Sequence, residues 1–134
     1  MTAIPDLSEL AVGRTFVGGL VAQDFAAVHA VLAPDVRLRA LLPAGLFEWT
    51  GPVAVVDRFE RWFGDTDHVE PIEATAGEVG GRLHLRWRLR LQARRLGPGS
   101  YVVEQVAYAD VDERARIARL DLLCTGYLRE RSDG

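Results

Sequence analysis

The side chains able to do chemistry in this chain are few, and most are arginines or carboxylates. Asp121 lies in the alternating run Ala118-Arg119-Leu120-Asp121-Leu122. A carboxyl that faces an apolar pocket has a raised pKa and can move protons near neutral pH. Strict alternation instead puts Arg119 and Asp121 on the face opposite Leu120 and Leu122, where Asp121 would serve in an ion pair. The sequence leaves both readings open. Glu104 and Gln105 are neighbours on one segment, so only one of them can point inward. If Glu104 joins an outer row of arginines, Gln105 faces in with Tyr101 and Val103, as an orienting amide rather than a catalyst. Arg86, Arg88 and Arg90 recur at every second residue. They form either a solvated face or a dimer interface, in which the guanidiniums fork onto Glu104 and Asp121 of either subunit.

Other chemistry is excluded or unsupported. All 16 basic residues are arginine and the chain has no lysine. A lysine Schiff base is therefore impossible, and so is a phosphate-cradling GxxxxGK[ST] loop. His29, His68 and His84 are scattered, with no HxxxH spacing, so neither a metal nor a cofactor is expected. Ser8, Ser100 and Ser132 sit near ends or turns, outside any nucleophile elbow. Cys124 is the only cysteine and reads as a small buried hydrophobe. The net charge of −3 points away from nucleic acid as a partner. The opening MTAIPDLSEL has no basic start and no apolar run, and no stretch approaches the roughly 20 apolar residues of a bilayer span. A cytoplasmic protein without membrane contact is expected. The length of 134 residues suits one domain over 1–134, and a hydrophobic share of 49% can build a core.

The elements that must position these residues follow from periodicity. A helix is predicted from about Asp6, a plausible cap with Glu9 three residues on, to Ala22. Gly18-Gly19 predicts tight packing or a bend near its end. A second helix begins at Asp24, buries Phe25, Val28, Val31 and Leu32, and ends at Pro34. Val36 to Leu42 alternates as a strand, and Pro43 to Thr50 reads as a loop carrying Trp49. A third helix starts at Pro52, with Gly64 just past its end, and carries Trp62. Strands are then expected over Glu70 to Glu78, Leu83 to Gln92, Tyr101 to Asp110 and Ile117 to Tyr127. In the clearest of them Leu83, Leu85, Trp87, Leu89 and Leu91 share one face. The fold class is α+β: a cone-shaped barrel with three N-terminal helices packed on a curved, mostly antiparallel sheet. A cavity between helices and sheet is the default ligand site.

On AQDFAAVHAVLAPDVRLRALLP, GPVAVVDRFERWF and VVEQVAYADVDERARIARLDLL, the chain resembles the nuclear transport factor 2-like superfamily, above all its SnoaL-like branch. The resemblance implies a cone with one mostly apolar pocket, commonly in a homodimer through the outer sheet face. It further implies either cofactor-independent proton-transfer chemistry (cyclisation, isomerisation or dehydration) on a hydrophobic molecule, or binding without catalysis. SnoaL-like cyclases carry an acid/base Asp on the last strand, which would be Asp121. Phe16, Trp49, Trp62, Trp87, Tyr101 and Gln105 would shape the pocket. The chain departs from related enzymes elsewhere. Phe16 stands where ketosteroid isomerases carry an oxyanion-stabilising Tyr, and Ala40 stands where they carry their base. No Arg-x-Asp occurs in Arg86-Trp87-Arg88-Leu89-Arg90, unlike limonene-type epoxide hydrolases.

Overall fold

A computed structural model describes residues 7–130. Helix α1 spans Leu7–Ala22 and α2 spans Phe25–Ala30. They are joined through Gln23 in the left-handed region, φ 57°. Asp24 caps α2, its Oδ1 accepting the Ala27 N–H at 3.2 Å. Gly19 lets the two helices close. A Cβ there would lie 2.9 Å from Val28 Cγ2 and 3.1 Å from the Asp24 carbonyl oxygen. The predicted cap Asp6 and Ser132 lie outside the described residues.

Strand β1 covers Leu32–Leu42 and β2 covers Gly45–Thr50. Two sequence expectations are corrected here. Helix α2 ends at Ala30, ahead of Pro34, and the strand has begun by Leu32. Pro34 falls in the register shift between Leu32 and Arg37, where β1 breaks step with its neighbour. A residue without an N–H is tolerated at such a break. The segment read as a loop is a hairpin: Pro43-Ala44 turns the chain and Leu38 pairs with Trp49.

Helix α3, Pro52–Phe59, widens into a π-helical turn at Glu60–Gly64. Strands β3 (His68–Val79), β4 (Arg82–Gln92), β5 (Tyr101–Val111), β6 (Ile117–Cys124) and β7 (Leu128–Arg129) follow, with a short 3₁₀ turn at Arg94–Leu96. The sheet runs β2-β1-β6-β5-β4-β3, and β1–β6 is its one parallel pair. β7 pairs with Tyr101 and Val102, beyond the stretch of β5 that β6 covers. One ribbon beside β5 is thus interrupted at 125–127, where the last strand was expected to run on to Tyr127.

The helices cover one face of the curved sheet. Leu85, Trp87, Leu89 and Leu91 are fully buried there, against Phe16, Leu20, Phe59 and Phe63. This is the predicted α+β cone. No helix among the described residues is long and apolar enough to cross a membrane.

Candidate functional site

The space beneath the helices is filled by rings. Phe16 meets Phe59 edge-on at 5.5 Å and Trp87 at 5.9 Å, and Phe59 meets Trp62 at 5.2 Å. Such offset and edge-to-face pairs add to what burial alone contributes. Trp87 Nε1 donates to Gln105 Oε1 at 3.0 Å, and Gln105 is only 1% exposed. The buried amide is therefore occupied by the core itself. The hollow expected here is a packed core, which corrects the placement of Phe16 and Trp87 as ligand contacts: both are fully buried among other side chains.

An apolar concavity lies at the mouth, where the ribbon beside β5 breaks. An open groove of about 520 Å³ is lined by Leu42, Pro43 and Ala44 of the β1–β2 turn, by Trp62, and by residues 124–128. Gly126 is essential to its shape. Its φ is +79°, and a Cβ would lie 2.8 Å from Pro43 Cγ. Thr125 keeps this break in step with β5: its N–H donates to the Glu104 carbonyl, and its Oγ1 accepts the Glu104 N–H, both at 3.0 Å. Cys124 is half-buried beside it, its Sγ accepting the Gly126 N–H at 3.3 Å.

Trp62 is held in this wall by its backbone. The end of a helix leaves carbonyls without partners. Tyr127 donates its hydroxyl to the Trp62 carbonyl at 2.6 Å, and Arg95 Nη2 donates to the same oxygen at 2.8 Å. Arg95 also donates to the Tyr127 hydroxyl at 3.2 Å and lies over its ring. Burial pushes the Tyr127 phenol above its ordinary pKa, and the Arg95 hydrogen bond opposes this only in part. On the next residue, the Phe63 carbonyl accepts from Gln23 Nε2 and from Thr66 Oγ1. Among the described residues, no carboxylate or imidazole lines the groove. Its polar groups are one thiol, one threonine hydroxyl and a phenol already spent on a carbonyl.

The other predicted site residues are dispersed. Trp49 packs edge-on against Trp62 at 5.9 Å, with the Arg58 guanidinium 4.5 Å above its ring. Tyr101 donates its hydroxyl to the Leu96 carbonyl and so latches the β4–β5 turn. Asp121 is on the outer face. Its Oδ2 accepts from Arg82 Nη2 at 2.8 Å, and its side chain is 41% exposed. Asp121 therefore points away from the covered face of the sheet and onto an arginine, whereas the acid/base role expected of it needs the interior of the cone.

No family model and no curated protein matches the chain by sequence. Solved structures do match it. A protein from Xanthomonas campestris pv. campestris, provisionally named a polyketide cyclase, superposes with a TM-score of 0.67 at 18% identity, over 87% of this chain and 90% of that one. An LEH-like epoxide hydrolase from M. tuberculosis superposes at 0.64 and 18% identity, over 88% and 83%. An NTF2-like protein from Burkholderia xenovorans superposes at 0.67 and 12% identity, over 88% and 89%. The chain has the nuclear transport factor 2-like fold.

Likeness at such low identity reaches the architecture and not the chemistry. Within the nuclear transport factor 2-like fold, this chain spends its interior on aromatic packing and its outer carboxylates on arginine. Arg86 holds Glu73 and Glu104, and Arg90 holds Glu70 and Glu130. The ladder read as a dimer contact is largely neutralised within its own chain. The Tyr127–Trp62–Arg95 cluster escapes sequence reasoning because its members are separated by more than 30 residues and share no spacing rule.

Proposed function

We propose that this protein is a small-molecule-binding domain that takes a neutral, apolar ligand in the mouth groove and performs no acid–base catalysis on it. The groove carries this reading. It combines a ligand-sized apolar concavity with a wall, Trp62, fixed through two hydrogen bonds to its carbonyl. Among the described residues, no carboxylate or imidazole lines it. A cyclase or isomerase that works by proton transfer needs a carboxylate or imidazole within reach of its substrate.

Cys124 supplies the test. With a neutral polycyclic probe such as a steroid or Nile red, saturating ligand should slow alkylation of Cys124, and native mass spectrometry should show one bound molecule. Unchanged alkylation together with no bound mass, across a panel of such probes, would refute the reading.

We also infer that two copies associate through the outer sheet face, at its apolar end rather than along the arginine ladder. Leu46, Leu41 and Leu123 form one exposed row across β2, β1 and β6, continued by Val106 on β5. Leu123→Asp should turn a dimer into a monomer in light scattering. A parent chain that is monomeric at high concentration would defeat this reading. We place the protein in the cytoplasm, because one thiol in an otherwise ordinary domain suits a reducing compartment.

A further inference from the structure

Away from the mouth, the outer face between β1 and β6 holds a group of charges that its own ion pairs leave unbalanced. Arg37 and Arg119 are direct neighbours across the parallel pair, and Arg39 faces Asp121 two residues on. Like charges side by side on adjacent strands cost stability. Three carboxylates lie in the same rows, and each is already taken. Glu48 pairs with Arg37, and Asp110 and Asp121 both pair with Arg82. Arg39 is across from Glu48 and Arg119 is across from Asp110, yet neither has a carboxylate partner among the described residues. Four guanidiniums against three carboxylates leave a local excess of one positive charge.

The chain also gives this excess a shape. Arg37, Arg39, Arg119 and Asp121 wall a small, partly open pit of about 40 Å³. That is room for about three waters, or for one oxyanion in their place. Arginine presents several N–H donors in a planar fork suited to carboxylate and phosphate oxygens. Asp121 would repel an anion if its charge were free, but its oxygen is held 2.8 Å from Arg82 Nη2.

We propose that this pit is an oxyanion site, separate from the mouth groove, in which Arg39 and Arg119 donate to a phosphate, sulfate or carboxylate. The anion relieves the repulsion between Arg37 and Arg119, and Arg82 keeps Asp121 from opposing it.

Inorganic phosphate is the probe, titrated by calorimetry and by thermal melting, with chloride at matched ionic strength as the reference. Arg39→Gln and Arg119→Gln should each weaken phosphate binding about tenfold, the loss expected for one charge-assisted hydrogen bond. Arg88→Gln is the control. Arg88 is an exposed arginine without a carboxylate partner among the described residues, but it sits on open surface, so its loss should change binding less than twofold. In the absence of phosphate, Arg119→Gln should melt at or above the parent, because it removes the like charge beside Arg37. Sedimentation at the same phosphate concentrations should show an unchanged mass. The proposal is overturned by any of four results: no phosphate binding, an equal response to chloride, an equal loss in Arg88→Gln, or a doubling of mass in step with binding. The last would mean that a second copy brings the anion.

Discussion

The two faces of strand β4 are built from alternate residues of one segment, and they stabilise the protein by different physics. Inward, Leu85, Trp87, Leu89 and Leu91 have no exposure at all and lie under the helices. Outward, Arg82, Arg86 and Arg90 each reach two carboxylates from other segments, with side chains 33–37% exposed. Burial is non-directional and scales with the apolar area removed from water. Half-exposed ion pairs contribute little each and weaken with salt. The inner face therefore sets whether the fold exists, while the outer face sets its charge pattern and what it can meet.

Trp87→Ala breaks this comparison hardest. It empties the centre of the aromatic cluster and leaves Gln105 without its donor. A loss of about 3–5 kcal/mol is expected, measured by urea unfolding. Trp87→Phe sharpens the same point, because it keeps an aromatic ring in the core while removing the N–H and part of the indole volume. Gln105 Oε1 is then buried and unpaired, at a cost of about 1–3 kcal/mol. Trp87→Phe with Gln105→Leu should recover part of that loss in a double-mutant cycle. No recovery would mean that the hydrogen bond contributes nothing beyond packing.

The inner/outer division was legible in the sequence because a strand has a period of two. The same alternation placed Gln105 in and Glu104 out, and offered the outward reading of Asp121 that the structure displays. Two things were not legible. Periodicity tells which face is buried but not how much volume the rings fill, so a packed core was read as a hollow. Nor does spacing carry tertiary register. The hairpin of Gly45–Thr50 has too little alternation of its own and is a strand because β1 lies beside it. Pro34 marked a helix end four residues late, because a proline also fits a break in strand pairing. The mouth groove depends on a 125–127 interruption that only the pairing of β7 with β5 reveals.

Tyr127 lies between the two regimes, half-buried with a polar end, and its expected effect is smaller than that of Trp87. Tyr127→Phe removes a donor to the Trp62 carbonyl, which keeps its bond from Arg95, so about 1 kcal/mol should be lost. The parent also carries a pH signature here. Its phenol titrates higher in the folded chain than the ordinary value of 10.0, chiefly through burial. The folded state then holds the proton more tightly than the unfolded one. That stability is fully present below the unfolded pKa and is lost as pH rises through the folded one. Phenolate absorbance should therefore show one tyrosine titrating late, and Tyr127→Phe should flatten part of the alkaline fall in stability.

The smallest effect belongs to the outer face. Arg86→Gln removes the bonds to Glu73 and Glu104, and all three side chains are at least 29% exposed. The hydrogen bond to Glu104 holds the Arg86 guanidinium above its ordinary pKa, but arginine stays charged throughout the accessible range, so this shift has no pH signature. The loss should be the smallest of these variants at low salt and should shrink further in about 1 M salt, where screening acts within a few ångströms. Trp87→Phe should be nearly indifferent to the same salt, since its lost bond lies out of reach of ions. Equal salt sensitivity in the two variants would mean that the two faces do not work by separate physics. A large, salt-independent loss from Arg86→Gln would put the outer lattice among the determinants of the fold.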